Sequence, residues 1–472
     1  MTDLTDNLID EKEIKSQKQA VLMVSAFAGF LVPFLTSAIN LALPAIGADL
    51  HVNAISLSWV VSSALLASAI FLLPFGKLGD IIGRKKVFTF GIILFTLATL
   101  LIVFTHSFVS LIVLRTIQGF SSAMIFGTSL AILTSVFPAG ERGWAMGIQV
   151  TATYLGLSTG PVIGGVLTHS LGWRSIFVLL FFIGVICIYL VFSKMKSEWA
   201  DARGEKFDWK GSVIYGVSLF AFMYGFSKLP SATGWIFLAS GITAAVIFLF
   251  FEERIEHPVF HAKFFLTNKV LAFSGLAALI NYSATSAIGF FMSLYLQYLK
   301  GLDARAAGLI MISQPLAMAL LSPVAGKLSD RKNPGVIASA GMGITGIGLI
   351  LLCFINASTP FYLIICLLIL MGVGFALFSS PNSNAIMSSV EKRYLGIASG
   401  VVGTMRMIGQ MMSMGIAMML ISLYIGKQTI NPATSPGLMA AMKTGFIIFS
   451  ILSVLGVFAS LARNEKLGNK NS

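Results

Sequence analysis

The chain has 472 residues, 56% of them hydrophobic and 11% charged, with a formal net charge of +13. An ordinary soluble domain carries roughly 25% charged residues, so a soluble globular fold is excluded. The apolar residues fall in long runs, many near the ~20 residues needed to cross a bilayer core of about 30 Å.

In chain order, a polar tail over 1–19 precedes the first apolar run. Six spans are expected near 20–42, 57–76, 87–105, 108–133, 143–167 and 174–193. Two more follow near 209–227 and 234–252, after a charged segment from Lys194 to Lys210. The last six lie near 270–298, 304–325, 335–355, 360–385, 394–425 and 437–462. The long polar segment before the first span, with no small-residue cleavage site after it, argues against a cleaved signal peptide. The expected fold is an all-α polytopic membrane protein with fourteen transmembrane helices. It divides into a tail (1–19), a six-helix bundle (20–193), linker segments with two inserted helices (194–269), a second six-helix bundle (270–462) and a tail (463–472).

Sorting Lys and Arg by loop puts 24 on the side of the two termini and six on the other: Arg174, Lys228, Lys300, Arg305, Lys427 and Lys443. Basic loops mark the cytoplasmic side. Both termini are therefore expected in the cytoplasm, in a cell membrane. The net charge is then a matter of loops facing anionic lipid, with no nucleic-acid partner implied. The three cysteines, Cys187, Cys353 and Cys366, sit in apolar runs without a CxxC spacing. Five scattered histidines offer no metal cluster, and no nucleotide loop or catalytic triad is present. Neither an enzyme nor a cofactor is expected.

"GKLGDIIGRKK", Gly76–Lys86, follows the second span, and "GKLSDRK", Gly326–Lys332, follows the tenth. This weak internal symmetry suits a carrier built from two similar halves. Asp80 and Arg84 stand four apart, so a charge network is expected at that helix end. Gly76, Gly79, Gly83 and Lys85 lie in the same stretch. In "GLSTGPVIGG" the residues Gly156, Gly160 and Gly164 recur every fourth position. They form one smooth helix face, widened by Gly165 and bent at Pro161.

With "RTIQG" (Arg115–Gly119), "SWVVSSALLASA" (Ser58–Ala69) and "GWRSIF" (Gly172–Phe177), these stretches resemble the major facilitator superfamily. The likeness is to its fourteen-helix drug:proton antiporter branch, over essentially the whole chain. The resemblance implies two six-helix bundles flanking two inserted helices. It also implies a cytoplasmic gate at Gly76–Lys86, and a seam between the halves at Gly156–Gly165 that helps set how outward and inward states interconvert. One departure matters. Members of the branch carry an Asp five residues before an Asn that is followed by "ALP"; here the stretch is "FLTSAINLALP", with Asn40 in place and Leu35 where the acid would stand.

All 19 acids fall in tails, loops or helix ends, and none lies near the middle of a span. What remains deep is positive: Arg115, with Gln118 one turn on, and Arg406, with Gln410 one turn on. Ionisable groups at membrane depth are costly and usually functional. Arg115 reads as a structural or proton-relay arginine held by helix ends, and Arg406 as a snorkelling or locally packed one; either also reads as a site for an anionic substrate group. Asn40, Gln149, Tyr154, Asn281, Tyr282, Gln314, Asn382 and Asn384 complete the candidate substrate and proton pathway; interhelical hydrogen bonding is the alternative for each. Two functions follow. One is export of an amphipathic organic compound in exchange for protons, with neutral or anionic substrates favoured. The other is an uncoupled facilitator, or a flippase-like carrier of a lipid or organic anion. One chain already supplies both halves, so a monomer is expected to act in the lipid bilayer.

Overall fold

The computed structural model describes residues 2–463, apart from 138–141, 196, 201, 256–257, 261–264, 266, 391–394, 427, 429 and 431–433. The tail 464–472 and the basic pair Lys392–Arg393 lie outside the described residues. Every regular element among the described residues is helical.

The first half contains α1 (Thr2–Leu50), α2 (Ala54–Ile82), α3 (Arg84–Val103), α4 (Phe108–Val136), α5 (Arg142–Leu171) and α6 (Arg174–Lys194). The inserted pair is α7 (Trp209–Lys228) and α8 (Ala232–Glu252). The second half contains α9 (Lys269–Thr285), α10 (Ile288–Leu294) with a π-helical end (Tyr295–Leu299), α11 (Ala304–Met311), α12 (Ser313–Arg331), α13 (Pro334–Leu352), α14 (Phe361–Ser388), α15 (Leu395–Tyr424) and α16 (Ser435–Ala462).

Three differences from the sequence reading have local causes. Helix α1 runs back through the polar tail, which holds no proline or glycine before Gly29 to stop it. The ninth span breaks between Thr285 and Ile288, where Ser413 of α15 accepts from Ala287 N at 2.9 Å, and the tenth breaks at Ile312. Thirteen helices among the described residues are long and apolar enough to span a membrane; α7 falls short of that standard. Ser212, Ser218, Ser227 and terminal lysines dilute its apolar character, and it pairs with α8 as a hairpin.

Polar caps set the helix starts. Asn53, Ser107, Asp208, Ser231, Asn268 and Asp303 each accept a first-turn N–H, satisfying donors that lipid cannot. Apolar side chains from both halves then fill one large shared core, including Phe34, Phe95, Phe177, Phe291 and Phe446.

Candidate functional site

Small residues decide how closely the helices approach. A Cβ on Gly119 would stand 2.1 Å from the Ala64 carbonyl oxygen, so α4 crosses α2 almost backbone to backbone. Arg115 lies one turn before that crossing and is 4% exposed. Its Nε donates to Val60 O at 3.0 Å and its Nη1 to Gln118 Oε1 at 2.8 Å. Gln118 Nε2 then donates to Thr99 Oγ1 of α3 at 2.8 Å. The "RTIQG" segment therefore ties α2, α3 and α4 together, and its guanidinium is satisfied inside one bundle.

Arg406 is placed differently. It is half-buried on α15, and its Nε is buried with no hydrogen-bond partner among the described residues. The Tyr282 hydroxyl of α9 is its meeting point, reached also by Ser379 of α14. Tyr154 of α5, from the other half, lies close enough to act on it electrostatically. The Phe375 ring packs edge-on against Tyr282 with centroids 5.5 Å apart. Gln410 and Gln314 are also half-buried. Asn281, the residue before Tyr282 on α9, is fully buried, and neither amide atom has a partner among the described residues. The structure thus brings Arg406, Tyr282 and Tyr154 to one place between the halves. Leu35, at the position of the missing acid, is 2% exposed in the apolar core.

Other predicted residues are spent elsewhere. Gln149 Nε2 donates to Ser129 Oγ at 3.0 Å. Asn384 Nδ2 donates to Ser329 Oγ at 3.0 Å. Asn382 Nδ2 donates to Ser274 O at 3.1 Å, and its Oδ1 accepts from Arg463 Nη1 at 2.7 Å. Met407, Met411, Met414 and Met418 of α15 are buried packing groups.

The Gly76–Lys86 stretch forms a compact network at one end of the first half. Arg84 Nε donates to Asp80 Oδ1 and its Nη1 to Ser135 Oγ, both at 2.7 Å. Gly79 is needed because a Cβ there would stand 2.7 Å from Thr128 Cγ2, and Gly83 has φ +121°, where other residues are strained. The linker after α6 folds back over this turn. Lys85 N donates to Glu198 Oε1 at 2.8 Å, Arg84 N to Trp199 O at 2.8 Å, and Ala202 N to Asp80 O at 3.0 Å. Lys77 Nζ meets Glu205 Oε2 at 2.5 Å.

At the opposite face the halves touch directly. Gly156, Gly160 and Gly164 pack on α1 within the first half. Gly165 lies under the Ala304 carbonyl of α11, and the Pro161 carbonyl lies over Gly308. Ser293 Oγ donates to Asn40 O, and Gln297 Nε2 to Leu41 O at 3.3 Å. Asn40 Oδ1 has no partner among the described residues. His169 Nδ1 and Asp303 Oδ2 are 3.6 Å apart across the same seam. The "GWRSIF" arginine, Arg174, pairs with Asp49 at 2.8 Å and sits 4.3 Å from the Trp173 ring.

Sequence reasoning missed Arg463, which it placed in the tail. That side chain is 6% exposed; burial pushes its guanidinium down to about 10. It reaches Ser274 Oγ (2.9 Å), Asn382 Oδ1 (2.7 Å), Gly335 O (2.8 Å) and Ser460 Oγ (2.9 Å), joining α9, α13, α14 and α16. It also missed Glu198 and Glu205, read only as part of a charged linker. No local pattern marks any of the three.

The family model described as Major Facilitator Superfamily matches residues 25–414 and 274–471. The chain belongs to the Major Facilitator Superfamily. The riboflavin transporter RibZ of Clostridioides difficile (strain 630) is 31% identical to this chain over 398 residues, covering 83% of it and 85% of the relative. The multidrug resistance protein Stp of Mycobacterium tuberculosis (strain ATCC 25618 / H37Rv) is 29% identical over 403 residues, covering 84% and 74%. The fold matches a bacterial homologue of the human lysosomal transporter Spinster, solved inward-facing and unoccupied. The TM-score is 0.68 at 14% identity, over 98% of this chain and 99% of that one. This major facilitator protein is a multi-pass membrane transporter and not an enzyme.

Proposed function

We propose that this protein is a secondary active exporter of amphipathic, drug-like organic compounds. It works by alternating access in the cell membrane, as a monomer with both termini in the cytoplasm, and exchanges its substrate for protons. Neutral or anionic substrates are favoured over cations. The observation that carries this reading is Arg406 beside Tyr282 and Tyr154 between the halves, with no acid near the middle of any span and Leu35 where the branch has its Asp. A half-buried guanidinium with an unpartnered Nε suits a carboxylate, phosphate or carbonyl acceptor, and the surrounding rings suit an aromatic body. Relatives named for multidrug resistance and for riboflavin transport are consistent with organic cargo.

The absent acid also favours a second reading, an uncoupled facilitator or flippase-like carrier of a lipid or organic anion. Transport into proteoliposomes, with and without a pH gradient, separates the two. Matched cationic, neutral and anionic amphiphiles are compared on wild type, Arg406→Ala and Arg115→Ala. The exporter reading expects gradient-driven movement of neutral or anionic compounds, lost in Arg406→Ala while the protein stays folded. Arg115→Ala is expected to fail through its fold. Preferential gradient-driven transport of cations would overturn the substrate assignment, and indifference to the gradient would favour the uncoupled carrier.

A further inference from the structure

The inserted hairpin holds a pair of acids that the transport path does not use. Asp208 precedes α7 and its Oδ1 caps that helix, accepting from Gly211 N at 2.9 Å. Glu252 ends α8 and is 2% exposed. Its Oε2 accepts from Phe260 N at 3.0 Å, and Val259 N approaches the same carboxyl. The two remaining oxygens, Asp208 Oδ2 and Glu252 Oε1, are buried and have no hydrogen-bond partner among the described residues. They converge above Gly211, at 2.1 and 2.3 Å from where a Cβ on that glycine would stand. The carboxyl groups are within hydrogen-bonding reach of each other.

An ionised carboxylate only accepts hydrogen bonds, whereas a protonated one donates. Two facing, buried acceptors without a donor are satisfied by one proton, and two charges so placed repel, as in other paired acids. Among the described residues, no cation compensates the pair. Lys206, Lys210, Glu253 and Arg254 are exposed, and Glu205 is paired with Lys77. Among the described residues, Asp208 is the charged group that acts on Glu252.

The segment that Glu252 holds leads into the second half. Phe260 is buried, with its ring 5.9 Å from Phe265. The Phe265 ring lies over Gly275 of α9, with Met405 of α15 beside it. Met405 immediately precedes Arg406.

We propose that Asp208 and Glu252 share one proton and form a latch that fastens Val259 and Phe260 to the α7–α8 hairpin. When the proton leaves for solvent, the two charges separate. Phe260 N then loses its acceptor and the Phe265 ring loses its anchor. The proton-bound form is the fastened one, so fastening is present at low pH and lost as pH rises.

Hydrogen–deuterium exchange of residues 253–268 tests this on the full-length protein in lipid nanodiscs, with rates corrected for intrinsic exchange. In wild type the protection factor is expected to fall as pH rises, by at most about tenfold per pH unit for one proton. Glu252→Gln carries an amide that can donate to Asp208 permanently, so its protection is expected to stay high and flat. Asp208→Asn can donate from the other side and is also expected to be flat, which covers the case in which one variant does not fold. A wild-type pH slope retained in both variants would overturn the proposal, as would a wild-type profile with no slope. Protection that follows sodium concentration at fixed pH would assign a metal cation to the pair instead and overturn it too.

Discussion

The contact between Gly308 and Pro161 makes the closed face of this transporter testable by one methyl group. In Gly308→Ala the new Cβ would stand 2.1 Å from the Pro161 carbonyl oxygen, and in Gly165→Ala 2.4 Å from Ala304 O. Both collisions are with backbone of the other half, so no rotamer relieves them; the halves must part. Overpacking of this kind costs about 1–3 kcal/mol, which shifts a two-state population by roughly 5–150-fold. Gly164→Ala is the control, because its Cβ would meet Ala38 at 2.6 Å inside the first half. That substitution is expected to lower thermal stability without moving the bundles apart. The assay is disulfide formation between His169→Cys and Asp303→Cys, which flank the seam, in a background lacking Cys353 and Cys366. Both Gly308→Ala and Gly165→Ala are expected to cut the bridging yield at least severalfold. Yields equal to the parent, or an equal fall in Gly164→Ala, would refute the view that this contact holds the face shut.

Two further expectations concern residues absent from any motif. Arg463→Ala strands Asn382 Oδ1, and a hydrogen bond to a charged group contributes about 1.5–3 kcal/mol; a clear fall in melting temperature is expected, with partial recovery in Arg463→Lys. Glu198→Gln removes the charge that accepts from Lys85 N at the start of α3, an arrangement worth about 0.5–2 kcal/mol. It is expected to raise exchange at the 83–86 turn while leaving the rest of the first half protected.

The apolar runs and the glycine spacings made most of the architecture legible, because both report what lipid and close helix contact demand of any chain. The α7–α8 hairpin was legible as two helices, since flanking charges interrupt an otherwise continuous hydrophobic pattern, although α7 falls short of the apolar length of a span. The orientation of Arg115 was not. Spacing places Gln118 on its face of α4, but whether that face meets a cavity or the Val60 carbonyl depends on how closely Gly119 lets α2 approach. Asn382 likewise reads as a cavity amide until Arg463, 81 positions later, is brought to it by four converging helices. Asp208 and Glu252 are each unremarkable at a helix end; only the hairpin makes them neighbours. The missing acid at Leu35 was legible as an absence, and the structure adds that the position faces packed apolar groups rather than polar ones.

The closed face is joined mainly by backbone. Ser293 and Gln297 donate to main-chain carbonyls at Asn40 and Leu41, while Gly165 and Gly308 lie against others. A carbonyl released from such a contact finds a water molecule of nearly equal worth, since the net value of a typical hydrogen bond is only about 0.5–1.5 kcal/mol. The polar pair at the seam, His169 and Asp303, is half exposed already and gives up little hydration on either side of the transition. A junction of this make separates and reforms without stranding a buried charge, so the same surfaces can part and meet repeatedly.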